Sequence, residues 1–239
     1  MLRSIILVVL ATLWTGLLSS FVIVGSPFFT RGEDSIHHIA QTWAKFILFL
    51  SGIGVKVSGT ENIIPDRSQI FMANHQSFFD IFIVLAFIPT QFRFIAKKEL
   101  FRVPIFGGAL RKYGTIEIDR KHRERAIRSL NIAATKIRTG TSVVTFPEGT
   151  RSTDGTIQAF KKGVFYLALS AGAPLIPVSI IGSGKILQKH SLKVHPGNIV
   201  MIIGQPVETV DYSESSLDEL IARVRNVVVE NFDKEKSTL

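Results

Sequence analysis

Hydrophobic positions change their rhythm near residue 58. From Ile5 to Val24 twenty residues pass without a charge, with Arg3 just before them. About 20 apolar residues, rising roughly 1.5 Å each, cross a hydrocarbon core, so the run predicts a membrane helix. A secretory signal is the rival reading, but the run is long for one and no A-x-A cleavage site follows it. After a polar turn at 30–35, Trp43, Phe46, Ile47, Leu50 and Ile53 recur at helical spacing among Gln41, Lys45 and Ser51. The stretch 39–57 is too mixed for a plain second span. It reads as an in-plane amphipathic helix or as a re-entrant partner to the first. Residues 1–58 are therefore expected to form a membrane helix or hairpin, and residues 59–239 the domain that it anchors.

Beyond Gly59, short apolar runs at 69–73, 92–96, 115–118, 142–146, 175–181 and 199–203 alternate with helical patterns. The helices are expected at 79–87, around 104–112, and at 123–138, 162–171 and 216–232. Strands separated by helices predict an α/β fold: a twisted mixed, largely parallel sheet flanked by helices, preceded by a two-helix membrane-associated hairpin. The apolar run 173–178 carries Pro174 and Pro177. Proline cannot donate in a ladder, so this strand is expected at an edge or a bulge, lining a hydrophobic slot.

Composition sharpens this picture. The 239 residues are 46% hydrophobic, with a mean hydropathy of +0.29, yet carry a net charge of +9. Between residues 91 and 128 lie eleven Lys or Arg against four acids. Basic proteins that bind nucleic acid are rarely so apolar, so the pairing points to an anionic membrane surface rather than a nucleic acid. The absence of Cys excludes disulfides, a thiol nucleophile and Cys-based metal sites. No G-x-S-x-G, H-E-x-x-H, P-loop or G-x-G-x-x-G pattern occurs, which argues against the common serine hydrolases, zincins, P-loop enzymes and dinucleotide binders. His37, His38, His190 and His195 show no metal-site spacing and are expected at the surface, and no metal or cofactor is expected.

Two segments carry chemistry. Asn74-His75-Gln76-Ser77-Phe78-Phe79-Asp80 leaves a strand and opens a helix, where α/β sheets place their sites. On a continuous helix His75 and Asp80 would point about 140° apart. They converge only if His75 sits in the preceding turn and Asp80, in the first turn, reaches back, with Ser77 as the N-cap. The carboxylate would then hold one ring N–H and leave the other nitrogen as a general base. Phe146-Pro147-Glu148-Gly149-Thr150-Arg151-Ser152 leaves another strand through a turn. Its Gly, hydroxyls and guanidinium suit a phosphate monoester, and Glu148 suits a substrate hydroxyl. An ordinary surface turn with an ion pair is the alternative.

Taken in order, N-H-Q-S-F-F-D, A-K-K-E-L at 96–100, G-T-I-E-I-D-R at 114–120, F-P-E-G-T-R-S and P-L-I-P-V at 174–178 resemble the glycerolipid acyltransferase family. The nearest resemblance is to bacterial members that acylate 1-acyl-sn-glycerol 3-phosphate, and it spans residues 59–203. It implies acyl transfer from acyl-CoA or acyl-carrier protein to the sn-2 hydroxyl of lysophosphatidic acid, giving phosphatidic acid in phospholipid biosynthesis. Glycerol 3-phosphate or a lyso-ornithine lipid is the alternative acceptor. His75 would be the base and Asp80 its orienting partner. Lys97, Arg120, Glu148, Gly149, Thr150 and Arg151 would hold the glycerol phosphate, and Pro177 would lie on the acyl side. Glu117 stands where members commonly carry a bulky apolar residue. The resemblance also implies a bacterial inner-membrane location, with the catalytic domain on the cytoplasmic side.

Overall fold

A computed structural model describes residues 1–30, 32–119 and 121–236. Two helices, α1 (Leu2–Gly25) and α2 (Glu33–Ser51), precede strand β1 (Ile53–Ser58). There follow β2 (Ile70–Ala73), α3 (Phe79–Phe87), β3 (Arg93–Lys97), α4 (Phe106–Lys112), β4 (Ile116–Ile118) and α5 (Arg123–Arg138). The chain ends with β5 (Val143–Thr145), α6 (Lys162–Ala171), β6 (Leu175–Ile181), the short α7 (Ser183–Ile186), β7 (Gly197–Ile203) and α8 (Leu217–Lys236). Among the described residues the strands form one sheet in the order β1-β7-β6-β2-β5-β3-β4. Every pair is parallel except β6 with β7. The expected mixed, largely parallel sheet flanked by helices is therefore what forms.

Strand alternation sorts side chains into two layers. Phe71, Ala73, Ile176, Val178 and Ile180 join the core cluster that also holds Val22, Ile47 and Ile83, from α1, α2 and α3. Ile70, Met72, Leu175 and Ile181 face the other way, into a cluster with Ile137, Phe165, Val224 and Val228 from α5, α6 and α8. A sheet buried on both faces explains why β2 and β6 read as continuous apolar runs.

The apolar stretch 39–57 does not continue as one helix. Gly52, at φ +67°, caps α2 by donating its N–H to Leu48 O and Phe49 O. The chain then turns into β1, whose Ile53↔Gly197 to Ser58↔Ile202 register with β7 makes it part of the sheet. The sheet thus begins before residue 59, inside the segment assigned to the hairpin. Exposure alternates along β1, a period of two masked in the sequence by the helical pattern running into it. Nor is β6 an edge strand, since β7 and β2 flank it. Its second proline sits at a bulge: three steps along β6, from Leu175 to Val178, face four steps from Val207 back to Ile203.

The hairpin is docked at both ends. At the α1 N-terminus the Arg3 guanidinium donates to Val194 O (3.2 Å) and Ser51 O (2.7 Å), while Val194 N donates to Ser4 Oγ (3.1 Å). At the start of α2, Glu33 accepts from Arg93 Nε at 3.0 Å. His37, expected at the surface in the turn, is instead 1% exposed on α2 with Nδ1 2.9 Å from Tyr113 Oη. Tyr113 Oη in turn donates to Phe92 O at 2.9 Å. One oxygen thus satisfies two buried groups, so Tyr113→Phe is expected to cost about 1–3 kcal/mol. A thermal melt of the detergent-solubilised protein should show the loss. The outer face of α1, including Ile5, Val9, Leu13, Leu17 and Phe21, is exposed. Residues Leu2–Phe28 are long and apolar enough to cross a membrane by length and composition.

Candidate active site

The parallel strands β2 and β5 deliver their following loops to the same sheet edge, where the two chemical segments meet. Asn74, wholly buried, ties the first loop down: its Nδ2 donates to Ile180 O (2.9 Å) and its Oδ1 accepts from Ile180 N (2.7 Å). His75 follows in the turn, and Asp80 lies in the first turn of α3. Asp80 Oδ2 accepts from three donors: His75 Nδ1 (2.8 Å), Gln76 N (2.7 Å) and Ser77 N (2.8 Å). The capping expected of Ser77 falls largely to this carboxylate. Ser77 Oγ makes only a 3.3 Å contact with Phe79 N and donates to Leu187 O. A wholly buried Asp held by backbone amides at a helix start is an anion fixed in place. It holds the proton on His75 Nδ1 and leaves Nε2 as the basic nitrogen. Phe146 stacks on the imidazole with ring centroids 4.1 Å apart, fixing the ring plane.

The second loop is sewn to the first. Ser152 N donates to His75 O at 2.8 Å, and Glu148 Oε1 accepts from His75 N at 2.6 Å. The other Glu148 oxygen accepts from Gln158 N at 2.9 Å. Glu148 is 2% exposed, and both its oxygens are taken by the chain's own backbone, an arrangement different from the substrate-hydroxyl contact expected of it. Burial pushes its carboxyl up to about 7 against the two amide hydrogen bonds, with the Asp80 charge adding to the rise. Gly149 has φ +72°, and a Cβ there would come within 2.8 Å of Lys161 Nζ. The turn therefore requires glycine.

Thr150 Oγ1 accepts from Lys189 Nζ at 3.2 Å, and the same ammonium donates to Arg151 O at 2.9 Å. The Arg151 guanidinium lies 3.8 Å above the Phe78 ring, so the two loops also meet through a cation–π contact. Burial lowers the Arg151 pKa and the charge of Asp80 opposes it, which places this cation within the field of the His–Asp pair. Lys97 ends β3, exposed and level with Ile118 of β4. Lys98 beside it is engaged by Asp119. Arg120 lies outside the described residues.

Pro177 shares its side of β6 with Leu175, Ser179 and Ile181, toward α8. It does not line the apolar hollow of about 110 Å³ on the opposite face, between α1, α2, α3 and α4. That hollow is walled by Leu18, Ile39, Trp43, Ile81, Leu85 and Phe106, two of them just downstream of Asp80 on α3. Sequence reasoning missed Phe78 and Phe146 as partners of Arg151 and His75, although both stand inside the quoted motifs. It also missed Lys189 and Gln158, for which no local signal exists.

Comparison with known proteins agrees with this geometry. The sequence model described as Acyltransferase matches residues 54–181, which include His75, Asp80, Glu148 and Arg151. A chloroplastic 1-acyl-sn-glycerol-3-phosphate acyltransferase of Arabidopsis thaliana is 32% identical over 97% of this chain, which spans 65% of that relative's length. A 1-acyl-sn-glycerol-3-phosphate acyltransferase of Pseudomonas aeruginosa is 31% identical over 92% of the chain and 84% of its own length. Among solved structures, the 1-acyl-sn-glycerophosphate (LPA) acyltransferase PlsC of Thermotoga maritima superposes with a TM-score of 0.87 at 31% identity, covering 98% of this chain and 95% of that one. A histidine–aspartate pair at the start of α3, clamped by the loop after β5 and matched by this family over more than half the chain, makes the protein a member of the acyltransferase family.

Proposed function

We propose that this protein transfers a fatty acyl group from acyl-CoA or acyl-carrier protein to the sn-2 hydroxyl of 1-acyl-sn-glycerol 3-phosphate, forming phosphatidic acid. The observation that carries the reading is the 2.8 Å contact between His75 Nδ1 and Asp80 Oδ2, with the Arg151 cation held over the Phe78 ring of the same segment. A base next to a phosphate-binding cation suits an acceptor whose reacting hydroxyl lies close to a phosphate. His75 Nε2 takes the hydroxyl proton as the oxygen attacks the thioester carbonyl. The tetrahedral intermediate collapses, the C–S bond breaks, and the imidazolium returns the proton to the departing thiolate. A thioester is already activated, so orientation supplies much of the acceleration and no acyl-enzyme is required.

Arg151 holds the acceptor phosphate, with Lys97 and Arg120 as further cations and Gly149 and Thr150 shaping the loop. The acyl chain enters the apolar hollow beside α3, on the face covered by the hairpin. Pro177 faces away from that hollow, so its part in the acyl side is indirect, through the bulge opposite it on the strand that continues β7. The hairpin serves as anchor and the remainder as catalytic domain, set on the cytoplasmic side of a bacterial inner membrane. The exposed apolar face of α1 supports the anchoring. Contacts at both ends of the hairpin support its lying along one leaflet. The basic tract between 91 and 128 then meets anionic headgroups.

The test is transfer by the purified protein, with labelled lysophosphatidic acid, glycerol 3-phosphate and lyso-ornithine lipid offered against acyl-CoA and acyl-carrier donors. Phosphatidic acid formed from lysophosphatidic acid alone is the expected product, and preferential acylation of another acceptor would overturn the assignment. Arg151→Ala is expected to raise the KM for lysophosphatidic acid tenfold or more, about the value of one charge-assisted contact, and to leave the donor KM unchanged. Equal effects on both substrates would remove Arg151 from the acceptor site.

A further inference from the structure

The catalytic loops have a second neighbour, past the end of β6, where the segment after β6 faces the end of α8. A polar cleft of about 310 Å³ opens between the loop 152–155, the segment 182–189 after β6, and the end of α8. Gln76 and Ser152 line its inner wall. One follows His75 in the chain, and the other donates its N–H to His75 O at 2.8 Å. The cleft therefore adjoins the base, but Arg151 is not among its lining residues.

Its charge is one-sided. Lys185, Lys189 and Lys236 line it, and the carboxylate among the lining residues is Asp154. Its Oδ1 accepts from Ser152 Oγ (2.9 Å), Thr156 N (3.0 Å), Thr156 Oγ1 (2.8 Å) and Gln158 Nε2 (3.3 Å), which leaves one negative charge against three positive ones. Lys185 and Lys236 are exposed, and among the described residues neither forms a salt bridge. Gly182, at φ +95°, turns the chain into the wall that carries Lys185, and Gly184 lets the Gln76 side chain lie against that wall. A cleft with such an excess of cations suits a phosphate at the end of a flexible arm.

A thioester donor has two unlike ends. Bound with its carbonyl at His75, it must send the acyl chain toward the apolar hollow on the hairpin face and its polar arm toward water. The cleft carries the exposed Lys185 and Lys236, which meet water. The acceptor's phosphate belongs to a short molecule, is held at Arg151 and stays near the reacting hydroxyl. We propose that this cleft holds the phosphate of the donor's phosphopantetheine arm, with Lys185, Lys189 and Lys236 as its cationic partners. The proposal rests on the acyltransferase reading above. Phosphopantetheine is common to coenzyme A and acyl-carrier protein, so one cleft serves either donor.

Lys189 also braces the Arg151 loop, so the test uses the exposed pair, Lys185→Ala with Lys236→Ala, in the full chain. The KM for palmitoyl-CoA and for palmitoyl-carrier protein should each rise about tenfold, the loss of two exposed charge contacts. The KM for lysophosphatidic acid and the rate with S-palmitoyl-pantetheine, which lacks the phosphate, should stay within twofold. A rise for palmitoyl-CoA alone would put the nucleotide end in the cleft and overturn the proposal. A rise in the acceptor KM, or an equal loss with the unphosphorylated thioester, would overturn it too. Calorimetry separates this proposal from the acyltransferase reading, because it needs no turnover. 4′-Phosphopantetheine should bind the wild type more tightly than pantetheine, and the difference should vanish in the double variant. Equal binding of the two to the wild type would overturn the cleft assignment even if transfer is observed, and absence of transfer from every donor would count against the acyltransferase reading alone.

Discussion

His75→Ala should lower kcat for acyl transfer by about 10²–10⁴-fold, the usual contribution of a positioned general base, without unfolding the protein. Asp80 would lose one of three donors on Oδ2 and keep the amides of Gln76 and Ser77, so the start of α3 stays capped. The side chain removed is at the rim of the site, with 14% of its surface exposed. Asp80→Asn is the informative companion. The amide oxygen would take the place of Oδ2 and keep all three donors, with its NH₂ at the Oδ1 position, which has no partner. The ring tautomer survives, but the negative charge that stabilises the imidazolium is gone, so the base is weakened although the imidazole remains. The fall should therefore approach that of His75→Ala. The double variant should be little worse than either single one, because residues that act as a unit lose their effect together. Additive losses would mean that His75 and Asp80 contribute separately, and the general-base assignment would fail.

Much of this pair was legible in the sequence because its geometry is local. Five residues, a strand before and a helix after leave one way for the imidazole and carboxylate to meet, and Asp80 does reach back as expected. Local patterning likewise placed the other helices and strands close to where they form. Failures occurred where a distant element decides. Residues 53–58 continue a helical rhythm, and only the pairing with β7 at the far end of the chain makes them a strand. Pro177 signalled an irregularity, and the bulge is real, but whether another strand lies alongside depends on β7 crossing back antiparallel. His37 carries no local sign of burial. Its partner, Tyr113, comes from a helix that follows β3, and the contact exists only because the hairpin folds down onto that region. Lys189 reaches the Arg151 loop across a sequence separation of 38 residues.

Glu148 shows the same limit in chemical form, because its residue type suggests a ligand for substrate while its surroundings point to a structural strut. Each oxygen accepts one amide, from His75 and from Gln158, and an ionised carboxylate is what can satisfy both. Glu148→Gln keeps one acceptor and turns an NH₂ toward the other amide, leaving a buried donor unmatched. We expect a fall in kcat of at least tenfold at pH 8 as the His75 backbone loosens, with the KM for lysophosphatidic acid little changed. A tenfold rise in that KM with kcat intact would instead put Glu148 in contact with the acceptor. Stability against pH gives a second readout. The folded carboxyl titrates at about 7 against 4.5 for an unperturbed Glu, so between these values the native state binds more protons than the unfolded chain. Its contribution to stability therefore falls as pH rises through that window, by about 3 kcal/mol, and is flat above it. Glu148→Gln removes that slope, so the stability of the wild type relative to the variant should fall by about that amount between pH 5 and pH 8. Activity runs the other way. Below about pH 7 the protonated oxygen no longer accepts its amide, so turnover is expected to fall as the contribution of Glu148 to stability rises; the clamp that orients His75 exists only in the charged form that burial disfavours.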